Sequence, residues 1–328
     1  MHNLKRLFVA TITLLMLATS APASAQSTNG LPTGSGLSIT PTVSEFTINP
    51  GGTETVKITL KNVTVDNVTA VAYLNDFVAD NSTGNPKIIT DPKVHSPNSI
   101  RNFISGLDNV PLQKGEQQNL TIGLKVPSNT PPGAYYGIIR YRAIPENSPL
   151  PANGGEVSLT ASVGTIVLVT VPGKLREQVQ LTAVHVYRGA RDSSIFVTSP
   201  DKIGVEIRNL GNGFAKPFGT VEVQNTFGKV VGTYQFNNPQ QLGNVLPNST
   251  RIFTSPFTKI NRIGRYKITA NVSYGNGSQV LSTSKTIYYI PGWLAITLGV
   301  VLLLAVLLAA KAYRRHKYDT RHSYKRGK

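Results

Sequence analysis

Cysteine is absent from the 328-residue sequence. With none, there can be no disulfide, no thiol nucleophile and no Cys-ligated zinc or iron–sulfur centre, whatever the compartment. Charge is sparse as well: charged residues make up 15% of the chain, against roughly a quarter in ordinary globular proteins. Between the two terminal segments the only histidines are His95 and His185. Neither has a second candidate ligand nearby in sequence, and no G-x-S-x-G elbow is present, so neither a metal centre nor a serine triad is motivated. The chain is read as a non-enzyme with no cofactor. A helical apolar stripe is missing before residue 290, whereas 29 glycines and 21 prolines mark a backbone that turns often.

The two ends hold most of the positive charge. Residues 1–25 contain Lys5 and Arg6, an apolar run from Leu7 to Ala18, and Ala23-Ser24-Ala25, which is the pattern of a secretory signal peptide cut after Ala25. Residues 293–310, WLAITLGVVLLLAVLLAA, are uncharged and at about 1.5 Å per residue reach roughly 27 Å, so residues 291–310 are read as a transmembrane helix. Tyr288, Tyr289 and Trp293 form its aromatic flank, and Lys311, Arg314 and Arg315 open its basic one. That asymmetry places the tail, residues 311–328, in the cytoplasm and the preceding domains outside. Of the formal charge of +17, two units fall in the signal peptide and a net seven in the tail, leaving +8 for the remainder. Nucleic acid is therefore not an expected partner, while an anionic cell-wall polymer fits the balance.

Between the ends the sequence reads as strands and turns. Residues 26–36 lack apolar periodicity and form a flexible leader. From residue 37 onward, ETVKITLKN (54–62) alternates Val56, Ile58 and Leu60 with polar residues, and NVTAVAYLNDF (67–77) follows closely, so the two are expected to pair. QNLTIGLKVP (118–127) carries Leu120, Ile122, Leu124 and Val126 on one face, and AYYGIIRYRA (134–143) follows a Pro131-Pro132-Gly133 turn. The loop PENSPLPANGGE is read as a long hairpin leading into VSLTASVGTIVLVTV (157–171), and Val171-Pro172-Gly173 as a domain boundary.

The second half repeats this grammar. KIGVEIRNLGNGFAKPFGTVEVQN (202–225) places two strands around a turn, and the pair Gly133/Tyr135 is echoed by Gly264/Tyr266 at the start of a later strand. The architecture expected is all-β: two tandem immunoglobulin-like β-sandwiches, residues 37–172 and 173–290, followed by a single C-terminal transmembrane helix.

The order of signal peptide, LSITPTVSEFTINPGGTETVKITLKN, VPSNTPPGAYYGIIRYR, GTIVLVTVPG, second β-domain, one membrane helix and basic tail resembles the WxL-interacting protein family of bacterial surface proteins. The resemblance covers nearly the whole chain. It implies two immunoglobulin-like domains, the first binding peptidoglycan and the second a host or partner protein, on a single membrane anchor; it implies no functional residue.

Candidate binding residues come from strand alternation instead. In YYGIIRYR (135–142), Tyr135, Ile139 and Tyr141 share one face, and Tyr136, Arg140 and Arg142 share the other. If one face packs, the other is free to bind, with an aromatic ring for a sugar face and guanidinium forks for phosphate or carboxylate. Asp76, Asp80 and nearby Asn residues offer hard oxygens for Ca²⁺, although such residues more commonly open turns. Seven Asn-x-Ser/Thr sequons occur, at Asn62, Asn67, Asn81, Asn119, Asn248, Asn271 and Asn276. The function expected is a membrane-anchored cell-surface protein binding wall glycan or another surface protein as an adhesion or scaffold component. The alternative is an accessory subunit of a pilus or secretion machine that pairs edge strands with its partners.

Overall fold

The computed structural model describes residues 36–91, 93–146, 162–237, 243–257, 260–275 and 279–326. The expected signal peptide, and all but the last residue of the expected leader, lie outside them. The described chain is mostly β-structure closed by one apolar helix at its C-terminus. With strands numbered along the chain, β1 (Leu37–Thr40), β3 (Thr53–Asn62), β9 (Gln117–Lys125) and β7 (Ile104–Ser105) make one sheet in that order. Facing it, β2 (Val43–Thr47), β11 (Ser162–Val171), β10 (Gly133–Pro145), β4 (Val68–Asn75) and β8 (Val110–Leu112) make a second, and β5 (Phe77–Ala79) with β6 (Pro86–Ile88) form a small hairpin.

A second pair of sheets follows. It has β13 (Arg191–Asp192), β12 (Val179–Arg188), β15 (Lys202–Asn209) and β18 (Thr250–Pro256) in one layer. The other layer holds β14 (Ile195–Phe196), β20 (Gln279–Tyr289), β19 (Gly264–Tyr274), β16 (Phe218–Gln224) and β17 (Val230–Phe236). Each pair encloses its own core. Val56, Ile58, Leu60, Ile122, Leu124, Ile139 and Tyr141 are buried in the first, and Val205, Ile207, Ile268, Val272 and Ile287 in the second, as the period of two in these strands requires.

The expected pairing of 54–62 with 67–77 does not form. β3 joins β1 and β9, while β4 joins β10 and β8 in the opposite layer. The chain turns a corner between layers, and a buried side chain builds it. Asn62 donates to the carbonyls of Asp66 and Gln113, and its Oδ1 accepts from the Thr64 amide and hydroxyl. The second half uses the same device: Asn209 donates to the Gly213 and Val245 carbonyls and accepts from the Gly211 amide before the chain crosses from β15 to β16. Because Asn62 is wholly buried and fully engaged, its sequon presents no acceptor nitrogen to a glycosylating enzyme.

A third apolar cluster joins the halves. Phe77, Tyr136, Ile138 and Leu168 of the first half pack with Leu246 and Phe214 of the second. Polar contacts ring it: the Ala134 amide donates to the Asn212 carbonyl, the Ile252 amide to the Ser82 carbonyl, and Glu45 accepts from Lys216 Nζ at 2.5 Å and Asn244 at 2.7 Å. Gly84, at φ +72°, lies so close to Arg251 that a Cβ there would stand 2.5 Å from its Cδ. The positive φ favours glycine, and any side chain there would also have to displace Arg251.

The helix α1 (Gly292–Arg326) leaves β20 after a two-residue break, and its apolar part is Gly292–Tyr313. It continues through the basic segment expected only as a tail, since no proline or glycine interrupts Lys311–Arg326 and Lys, Arg and Ala favour helix.

Candidate functional site

Strand β10 alternates as expected, and its two faces have different fates. Inward, Ile139 and Tyr141 are almost fully buried, and burial pushes the Tyr141 hydroxyl up to about 12, with the Asp108 charge adding to the effect. Tyr135 closes the strand's entrance, its hydroxyl donating to the Pro131 carbonyl at 3.0 Å. Tyr266 does the same to the Arg262 carbonyl at 2.6 Å, so both halves carry the tyrosine corner of immunoglobulin-like sandwiches at the Gly/Tyr echo.

Outward, the three candidate ligand-binding residues separate. Tyr136 is only 5% exposed, its ring centroid 4.9 Å from that of Phe77 and 6.2 Å from that of Phe214. It is a joint residue rather than a sugar platform, because the second half covers the face on which a ligand would stack. Burial raises its hydroxyl, with a hydrogen bond to Ser96 working the other way. Four and six residues along the same face, Arg140 and Arg142 lie beyond the joint and are half-buried. Arg140 donates to Ser162 Oγ at 3.1 Å, and the Arg142 guanidinium sits 5.5 Å from the centre of the Tyr73 ring. Neither forms an ion pair among the described residues, and the Nε of each is buried without a partner. Val43 (43% exposed) and half-buried Val71 continue this strip across the sheet. The strip sets an aromatic ring and two Arg side chains, residue types enriched at protein interfaces, beside two valines on the outer face of the sheet.

The hard-oxygen candidates are spent on the fold. Asp76, fully buried, accepts from the Ser96 amide, the Ser99 hydroxyl and Arg101 Nε, which fixes the 95–101 loop; His95 lies 3.7 Å away. Asp80 accepts from the Ser82 amide and hydroxyl and from Thr83, and these bonds hold its carboxyl down at about 2.

His185 does have partners, contrary to the local reading. Its Nδ1 is 2.8 Å from Asp192 and its Nε2 2.7 Å from Glu206, and Lys285 reaches Asp192 at 2.7 Å. Burial acts to raise the Asp192 carboxyl, but hydrogen bonds from Lys285 and His185 outweigh it and hold the group below the usual carboxylate range. The two carboxylates sit on opposite nitrogens of one ring and cannot converge on a shared ion; no metal-holding group occurs among the described residues. Asp192 lies across the short β12–β13 hairpin, and the sequence reading missed it although it is only seven residues on. Glu206 comes from β15, where only the sheet register supplies it.

At the start of the apolar helix, the expected membrane flank, Trp293 is 66% and Tyr288 48% exposed, whereas Tyr289 packs against the second core. Lys311 is exposed, and Arg314 and Arg315 lie further along α1.

No family model and no curated protein matches the sequence. Among solved structures, the class 5 fimbriae chaperone CfaA is similar at 13% identity, covering 78% of this chain and 99% of its own with a TM-score of 0.37. The CupB2 chaperone of Pseudomonas aeruginosa matches at 13% identity over 76% of this chain and 99% of its own, TM-score 0.35. A PapD-like domain of human CEP192 matches at 14% over 46% of this chain and 96% of its own, TM-score 0.29. These are likenesses of β-sandwich layout at low superposition, and no partner or activity passes from them to this chain.

Proposed function

We propose that the chain is a non-enzymatic surface protein, exported by residues 1–25, held in the membrane by the apolar part of α1, and serving as an accessory subunit that binds another surface protein through its first half. In this reading the two halves are immunoglobulin-like domains meeting near Pro172-Gly173, and the WxL-interacting resemblance describes the general plan. The observation that carries it is the strip of Val43, Val71, Tyr73, Arg140 and Arg142, which continues the outer face of the sheet where the joint stops covering it. Its Arg and aromatic side chains are of the types enriched where proteins meet, which favours a protein surface over a sugar chain.

The test places a photo-crosslinking residue at Tyr73 in the full chain in its native membrane. One discrete protein adduct is expected, lost at least tenfold with Arg140→Ala plus Arg142→Ala while the melting temperature holds. Retention on purified cell walls that disappears in the double variant, with no protein adduct, would replace this reading by wall-polymer binding.

A further inference from the structure

The end of the second half from which α1 departs is set by the strand register. Gly264 pairs with Tyr289, Lys267 with Gln224 and Ile195 with Tyr288, and the Gly292 amide donates to the Val197 carbonyl. The β16–β17 turn is therefore at this foot, and the Thr226 hydroxyl is hydrogen-bonded to both the amide and the carbonyl of Arg265. The joint to the first half is at the opposite end, where Asn212, Leu246 and Ile252 lie.

Exposed apolar side chains gather at the foot, although Val280, 65% exposed, lies at the far end of β20. Phe227, at the turn's tip, is 93% exposed, Ile195 62% and Ile263 56%, and they share the end with Tyr288 and Trp293. Basic residues stand among them: Arg191, Lys229, Arg262 and Arg265 are exposed. Of the acidic groups on this side, Asp201 is engaged by Arg188 at 3.7 Å and Asp192 by His185 and Lys285, while Glu222 stands further up β16. The four cations have no carboxylate partner among the described residues.

We propose that this foot lies on an anionic bilayer surface, with Phe227, Ile195 and Ile263 in the interfacial zone and Arg191, Lys229, Arg262 and Arg265 against lipid headgroups. The occupant is argued from continuity with the apolar helix, which starts at this end, and from the mixture of bulky apolar tips with unpaired cations that interfacial segments use. A hairpin tip carrying a phenylalanine has nothing to pack against in water. The inference rests on α1 spanning the membrane.

The chain's lack of cysteine makes the test direct. Single-cysteine variants of the full chain, Phe227→Cys, Leu303→Cys and Lys57→Cys, are labelled with an environment-sensitive fluorophore and placed in nanodiscs of phosphatidylglycerol and phosphatidylcholine containing spin-labelled lipids. Shallow quenching at position 227 at least threefold above that at position 57, with deep quenching at 303, is expected. Adding Arg262→Glu and Arg265→Glu, or separately Lys229→Glu, should lower quenching at 227 at least twofold, as should discs of phosphatidylcholine alone. Quenching at 303 with none at 227 overturns the foot while the span stands. No quenching at either position overturns the span and the foot with it, and quenching at 227 indifferent to lipid charge removes the headgroup contacts.

Discussion

The two halves share a frame and differ in what they do with its outer face. Tyr135 and Tyr266 open matching strands with matching hydroxyl bonds, and Asn62 and Asn209 plug matching corners. Each half also has a short strand running parallel to its last long strand, β2 on β11 and β14 on β20. One residue after the corner tyrosine the likeness ends: the first half has Tyr136, buried in the joint, and the second has Lys267, exposed. The frame residues specify a sandwich, and the outward residues between them decide what it adheres to.

The sharpest way to break this comparison is at that matched pair. Tyr136→Ala should cost about 3 kcal/mol through the cavity left between Phe77 and Phe214 and split urea unfolding into two transitions, whereas Lys267→Ala should stay within about 0.5 kcal/mol. Equal losses at the two positions would mean that the joint adds nothing beyond each half's own stability. The corners come next. Asn62→Ala and Asn209→Ala each strand buried carbonyls and an amide, so each should cost about 2 kcal/mol, and chemical denaturation should find the two within about 1 kcal/mol of one another.

Smaller effects sharpen the likeness. Tyr135→Phe and Tyr266→Phe each remove one hydroxyl bond and should lower stability by about 1 kcal/mol, read from thermal melts. The smallest concerns a cluster only the second half has. Because the Asp192 carboxyl is held low in the folded chain, its charged form contributes stability at neutral pH, and that contribution is lost as pH falls below the ordinary value of 3.8 and through the folded one. Asp192→Asn should therefore flatten the acid limb of the melting-temperature profile below about pH 4. An unchanged limb would show that Lys285 and His185 do not hold that charge.

How much of this was readable follows from what alternation encodes. It assigned Val56, Ile58, Leu60 and Ile139 to the interior, because a strand's period identifies its faces without knowing its neighbours. It mistook the corner after Asn62 for a hairpin, since period carries no information about which strand lies alongside, and a buried Asn looks in sequence like any turn former. The Gly/Tyr echo was visible and proved to be the two corners. Tyr136 was placed on the correct face but given the wrong company, because Phe214 and Leu246 approach from another sandwich. Arg140 and Arg142 escaped that fate only by lying farther along the same strand. The extension of α1 past Lys311 was hidden by charge, which ends the apolar run without ending the helix.

The cluster of Phe77, Tyr136, Ile138, Leu168, Leu246 and Phe214 also determines how the chain answers a mechanical load. Dispersion contacts weaken within about an ångström of separation, and the surrounding hydrogen bonds tolerate little more. A partner that tugs on the first half while the helix is held pulls across a latch, not a spring: it stays shut with almost no extension until a threshold tension, then opens at once. Past that point Tyr136 and Phe214 meet water for the first time, and the surface so uncovered exists only under tension.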